Sequence, residues 1–152
     1  MEQNFNCFRE GAIIWVYQFG LGLINSAVIA IFELTFGGSA GVGIGSSIFV
    51  SVFAAYAYAV RYEAKHPGVL RNNIHPVSLA ATMFGIISSL PFLVLALVAS
   101  NIEVNSAYSP PPDLQVVTDI ISIALVVGAF VAYALTRVGL SLGTKRWQEQ
   151  RK

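Results

Sequence analysis

Charged side chains are scarce in this 152-residue chain, where Asp, Glu, Lys and Arg together make up 11%. An average soluble domain carries about 25%. Nine basic and eight acidic residues leave a net charge of +1, so there is no basic field of the kind that holds nucleic acid. Cysteine occurs once, at Cys7, which excludes an intrachain disulfide framework, a Cys-x-x-Cys redox pair and a cysteine-based zinc site. Histidine occurs twice, as His66 and His75, each followed by proline. What is abundant is apolar: 55% of the residues are hydrophobic and the mean hydropathy is +0.66.

The apolar residues fall in blocks. A spanning helix needs roughly 20 of them to cross about 30 Å of hydrocarbon. Four segments qualify, at about 12–36, 40–60, 77–99 and 114–136. No piece between or beside them exceeds 16 residues, too little to fold as a soluble domain. Segment 1 is too long for the apolar core of a secretory signal and is read as a retained helix. Only helices and closed barrels satisfy the backbone in lipid, and the two-residue alternation of a barrel is missing. The expected fold class is therefore all-α: one polytopic membrane domain over 1–152, with four transmembrane helices in an antiparallel up-down bundle.

Orientation follows from the basic residues. Arg9, Arg61, Lys65, Arg71, Arg137, Lys145, Arg146, Arg151 and Lys152 all fall before segment 1, between segments 2 and 3, or from the end of segment 4 onward. Lys and Arg are retained on the cytoplasmic side, so both termini and the 61–76 loop are expected there. Trp15, Tyr17, Tyr56, Tyr58, Tyr62 and Tyr133 mark the same interface. On the opposite side, the 100–113 loop ends in prolines and Asp113, a candidate N-cap for segment 4.

Small residues four apart let helix backbones approach closely. Gly37, Gly41 and Gly45 have that spacing at the start of segment 2, and Gly22, Ser26 and Ala30 form a matching row on segment 1. Packing of segments 1 and 2 against each other is the expected use of these rows, with docking of another subunit as the alternative. The glycines of 37–47 lack the strand and the acidic ribose ligand that a dinucleotide loop needs. In segment 3, Pro91 predicts a kink near 87–90, with the Ser88 and Ser89 hydroxyls close to the freed carbonyls.

Polar groups inside a membrane are costly and mark candidate sites. Gln18, Asn25 and Glu33 share one arc of segment 1 with Gly22, and Asp119 lies near the outer end of segment 4. Burial and mutual repulsion of Glu33 and Asp119 would raise one carboxyl pKa and make a proton or cation site. The competing expectation is that both reach water near the interface, with Asp119 acting as an N-cap. His66 and His75 read as solvated loop residues, and the basic 61–71 stretch suits anionic headgroups or a cytosolic partner.

The cysteine pairs of quinone-linked disulfide enzymes and the helical histidines of b-type cytochromes are missing. Small multidrug exporters carry a buried glutamate on helix 1, whereas Glu33 lies far toward the outer end of segment 1. The Gly/Ser-rich start of segment 2, its aromatic-basic end and the Pro-containing basic loop, over about 37–76, resemble uncharacterised four-helix inner-membrane proteins of Gram-negative bacteria. That resemblance implies a bacterial inner membrane and no particular activity. The expected function is non-enzymatic, that of an accessory subunit or small regulator. Its partners are the lipid bilayer and another membrane protein or a second copy, with no cofactor, metal or nucleic acid. A small proton- or cation-coupled transporter using Gln18, Asn25, Glu33 and Asp119 is the alternative.

Overall fold

The first helix begins where Asn6 caps it. The Asn6 side-chain oxygen accepts hydrogen bonds from the backbone N–H of Phe8 at 3.0 Å and of Arg9 at 3.1 Å, satisfying donors that the first turn leaves open. The computed structural model describes residues 5–36, 40–106 and 114–149, with side chains except at 33, 36, 40–45, 47, 92–93, 96–106 and 114–121. Within these residues every regular element is helical: α1 (Cys7–Phe36), α2 (Ala40–Lys65), the short α3 (Val69–Asn72), α4 (Ile74–Ser106) and α5 (Leu114–Glu149).

The long helices run past the segments read from hydropathy, by five residues at the end of α2 and thirteen at the end of α5. Apolar runs mark where a helix meets hydrocarbon. The helix itself continues while its backbone stays bonded and a face stays packed. Three helices contain stretches long and apolar enough to cross a membrane: Cys7–Phe32, Ile74–Pro91 and Ser122–Glu149. The expectation of four is met at three. Among its described residues, α2 is rich in Ala and Ser and carries Arg61, Glu63 and Lys65 near its end, so it is less apolar.

Helix neighbours differ from those of a sequential up-down circuit. α1 packs on α2 and α4, while α5 packs on α2 and α4. Adjacent α1 and α2 are antiparallel, as Gln18 meets Ser51 and Asn25 meets Ser46. α1 and α4 run parallel: Cys7 lies by Asn73, and Trp15 lies by Phe84 with ring centroids 6.3 Å apart. α2 and α5 are also parallel, as Gly139 meets Val52 and Gly143 meets Tyr56 and Ala59. The physical reason is glycine at the two parallel crossings. A Cβ on Gly11 would stand 2.5 Å from the Ala80 methyl, and one on Gly143 would stand 2.6 Å from Ala59 Cβ and the Tyr56 carbonyl oxygen. Only hydrogen fits in those gaps.

The turn after α2 is built by a buried carboxylate. Glu63 is 2% exposed. Its Oε2 accepts from Gly68 N–H at 2.5 Å and its Oε1 accepts from Arg71 N–H at 2.9 Å. Gly68 has φ +80°, a left-handed conformation that glycine takes at little cost. Leu70 thereby drops into the core with Ile14, Ala55, Tyr58, Ala59, Val77, Ala81 and Leu140. This core sits at the end of the helices nearest α3. Farther from α3, Ile24, Ile31, Leu95, Ile123 and Phe130 present exposed apolar surface.

Pro91 does not interrupt α4. Ser88 Oγ donates to the Gly85 carbonyl at 2.9 Å and Ser89 Oγ to the Ile86 carbonyl at 2.7 Å. The hydroxyls thus bond to the turn preceding the freed Ile87 carbonyl. His75 is the second residue of α4 rather than a loop residue, and its Nδ1 shares a 2.5 Å hydrogen bond with the Tyr133 hydroxyl of α5.

Candidate functional site

Two of the four intramembrane polar residues singled out by sequence have described side chains, and both bond to neighbouring helices. Gln18 Nε2 donates to the Ser51 carbonyl at 3.2 Å and to Thr136 Oγ1 at 2.9 Å, so one amide ties α1 to α2 and α5. Asn25 Nδ2 donates to Ser46 Oγ at 3.1 Å. The side chains of Glu33 and Asp119 lie outside the described residues, as do Gly37 and Asp113. Gly41 and Gly45 fall in the first turns of α2, whose side-chain surroundings are likewise not described.

The second small-residue row is described in full. A Cβ on Gly22 would meet nothing within 4 Å, and Ser26 and Ala30 are exposed. Gly22 is half-buried on the arc that carries Gln18 and Asn25, and the row turns from there toward the exposed side at Ser26 and Ala30. Among the described residues, the close internal crossings use Gly11, Gly139 and Gly143. The spacing of Gly139 and Gly143 is a visible signal, but it lies beyond residue 136, where the apolar segment ends.

Sequence reasoning also passed over a charged notch between α1 and α2 at the end nearest α3. It has a volume of about 210 Å³ and is lined by Arg9, Glu10, Tyr17, Tyr58, Arg61, Tyr62 and Lys65, with Ile13 at its side. Glu10, 5% exposed, forms the floor. Its Oε2 accepts a short hydrogen bond from the Tyr58 hydroxyl, and its Oε1 lies 3.4 Å from Arg9 Nε. The Tyr58 ring stacks on Tyr62 at 5.7 Å and lies 6.2 Å from Tyr17, so aromatic rings form the wall. Burial pushes the Tyr62 hydroxyl above its ordinary range, with the Glu10 charge adding to the effect and Arg9 opposing it. Arg61 and Lys65 are exposed on the rim, and neither has a carboxylate partner among the described residues. The signal that could have found the notch is the pairing of an acid, Glu10, with the Tyr58–Arg61–Tyr62–Lys65 run.

A second opening lies between α4 and α5. Gly85, Ser89, Ala124, Gly128 and Ala132 leave a cleft of about 260 Å³. An adjoining groove of about 330 Å³ reaches His75 and Tyr133. Both are walled almost wholly by apolar atoms, and in a membrane such surfaces are covered by acyl chains. Among the described residues no cluster of three or more His, Cys, Asp or Glu is placed to hold a metal ion. Every buried side-chain nitrogen or oxygen among them has a hydrogen-bond partner. No family model, curated protein or solved structure matches the chain.

Proposed function

We propose that this chain is a non-enzymatic protein of the bacterial inner membrane that crosses four times, with both ends and the 61–76 loop on the cytoplasmic side. It acts as an accessory subunit or small regulator by packing a helix face against another membrane protein or a second copy. Orientation rests on the basic residues, all of which lie on one side of the four segments. α2 serves as the fourth span over 40–60, sheltered between α1 and α5, and its charges begin only at Arg61.

One observation carries the interaction reading: the two kinds of small-residue row are used differently. Gly139 and Gly143 are consumed by the internal α2–α5 crossing, whereas on α1 Ser26 and Ala30 are exposed and a Cβ at the half-buried Gly22 has no atom within 4 Å. An apolar face alone needs only lipid, but a row of small residues is the shape that accepts a second helix. The bonding of Gln18 and Asn25 to neighbouring helices fits the same reading, because these amides hold the chain together.

Cross-linking tests it. In a Cys7→Ser background, Ser26→Cys in native membranes should give a covalent species containing a second transmembrane chain. Gly22→Leu, whose Cβ has no atom of its own chain within 4 Å, should abolish it. A strictly monomeric product, together with monomeric purification in mild detergent without a membrane partner, would overturn the proposal.

A further inference from the structure

The notch between α1 and α2 contains an electrostatic imbalance. Arg9, Arg61 and Lys65 supply three cations around one carboxylate. Both oxygens of that carboxylate are engaged, one by Arg9 and one by Tyr58. Two positive charges are therefore left over. Two placements sharpen the imbalance. Arg61 and Lys65 are four apart on α2, a spacing at which like charges face and repel one another. Arg9 stands in the first turn of α1, at the positive end of the helix dipole, where a cation is disfavoured. An anion held between the three side chains relieves all of these repulsions together.

The surroundings select the kind of anion. The arginines offer planar sets of N–H donors that match phosphate oxygens, and Lys65 adds a compact point charge. Tyr17 and Tyr62 give the wall the amphipathic character of a headgroup layer, since each carries an apolar ring and a polar hydroxyl. Ile13 continues the notch toward the apolar part of α1. We infer that Arg9, Arg61 and Lys65 form a binding site for a phosphoryl anion at the membrane interface, with Glu10 fixed by Tyr58 as its floor. The ligand chemistry is a phosphate mono- or diester, carried either on the headgroup of an anionic phospholipid or on a soluble phosphate compound.

The full chain in mild detergent is titrated with short-chain phosphatidylglycerol, with short-chain phosphatidylcholine and with inorganic phosphate, and bound species are read by native mass spectrometry. Saturable binding of one phosphatidylglycerol per chain is expected, with phosphatidylcholine far weaker. Displacement by inorganic phosphate would assign the site to soluble phosphate compounds, and resistance to displacement would assign it to lipid. The Arg61→Gln/Lys65→Gln variant should bind roughly 30-fold more weakly, from about a fivefold loss per removed surface charge. The charge-conserving Arg61→Lys/Lys65→Arg variant should stay close to the parent, which separates loss of charge from loss of fold. Arg71→Gln removes one positive charge on α3, outside the notch, and should change little. Equal binding of phosphatidylcholine, parent-like binding by the double Gln variant, or an equal loss in Arg71→Gln would overturn the site.

Discussion

The Gln18 side-chain amide donates to the Thr136 hydroxyl at 2.9 Å, joining α1 to α5, while its second N–H reaches the Ser51 carbonyl of α2 at 3.2 Å. Thr136 is 2% exposed, so neither bond competes with much water. Gln18→Leu keeps the size of the side chain and removes both bonds. Interhelical hydrogen bonds in membranes are worth about 0.6 kcal/mol on average and up to about 1.7. Loss of the pair should therefore destabilise the fold by about 1–3 kcal/mol. Unfolding in mixed micelles, followed by helicity, measures this. Thr136→Val should cost less, because the Ser51 bond survives. A larger loss for Thr136→Val than for Gln18→Leu would contradict the assignment.

The glycines separate cleanly by what lies opposite them. A Cβ at Gly143 would stand 2.6 Å from the Ala59 methyl and the Tyr56 carbonyl oxygen, and at Gly139 it would run into the Val52 carbonyl. The neighbour in each case is backbone or a short methyl, which cannot swing aside. Gly139→Ala and Gly143→Ala should each destabilise by about 1–3 kcal/mol as α2 and α5 are forced apart. Gly22→Ala meets open space and should be neutral or stabilising by up to about 1 kcal/mol through helix propensity. Thermal unfolding of the three single variants in one detergent distinguishes them by sign.

These two sets of contacts also show what could be read from residues alone. The helices were legible because apolar blocks of 20 or more residues have few other solutions. Gln18 and Asn25 were legible as costly groups that must find partners. Neighbour order was not legible. A short turn makes α1 and α2 neighbours, but nothing in periodicity says that α5 lies on α2 rather than beside α4 alone. That choice is made by Gly139 and Gly143, which lie past the apolar run. The notch was hidden for a related reason. Glu10 and Tyr58 are 48 positions apart, and each reads as an ordinary interfacial residue until the antiparallel α1–α2 pair brings them together.

The Glu63 carboxylate offers a third test. Its two oxygens accept from Gly68 and Arg71 N–H while it is almost wholly buried. Glu63→Gln keeps one acceptor and turns the other into a donor facing an N–H. Leaving a buried donor unpaired costs about 1–3 kcal/mol. Amide hydrogen exchange at Gly68 and Arg71 should accelerate, with exchange in the middle of α1 unchanged. Gly68→Ala attacks the same turn from the backbone, because φ +80° costs an L-residue about 1–2 kcal/mol. Either variant should loosen the seat of Leu70, which is fully buried. Unchanged exchange in both would show that the turn is held by packing alone.

Tyr62 gives the fold an alkaline limit. Its hydroxyl is pushed upward first by burial and then by the negative charge of Glu10, against a smaller downward pull from Arg9. The folded state therefore prefers the neutral phenol more than the unfolded chain does, for which the ordinary value is about 10. Unfolded chains release the proton first as pH rises. The stabilisation from Tyr62 is present in full below about pH 10 and is lost as pH climbs from there through the folded value. Tyr62→Phe cannot ionise and should lose less stability than the parent over that alkaline window, while the two behave alike at neutral pH apart from a constant offset. Denaturation midpoints at a series of pH values read the difference directly. Parallel curves for parent and Tyr62→Phe above pH 10 would show that the Tyr62 hydroxyl titrates as freely in the fold as in the unfolded chain.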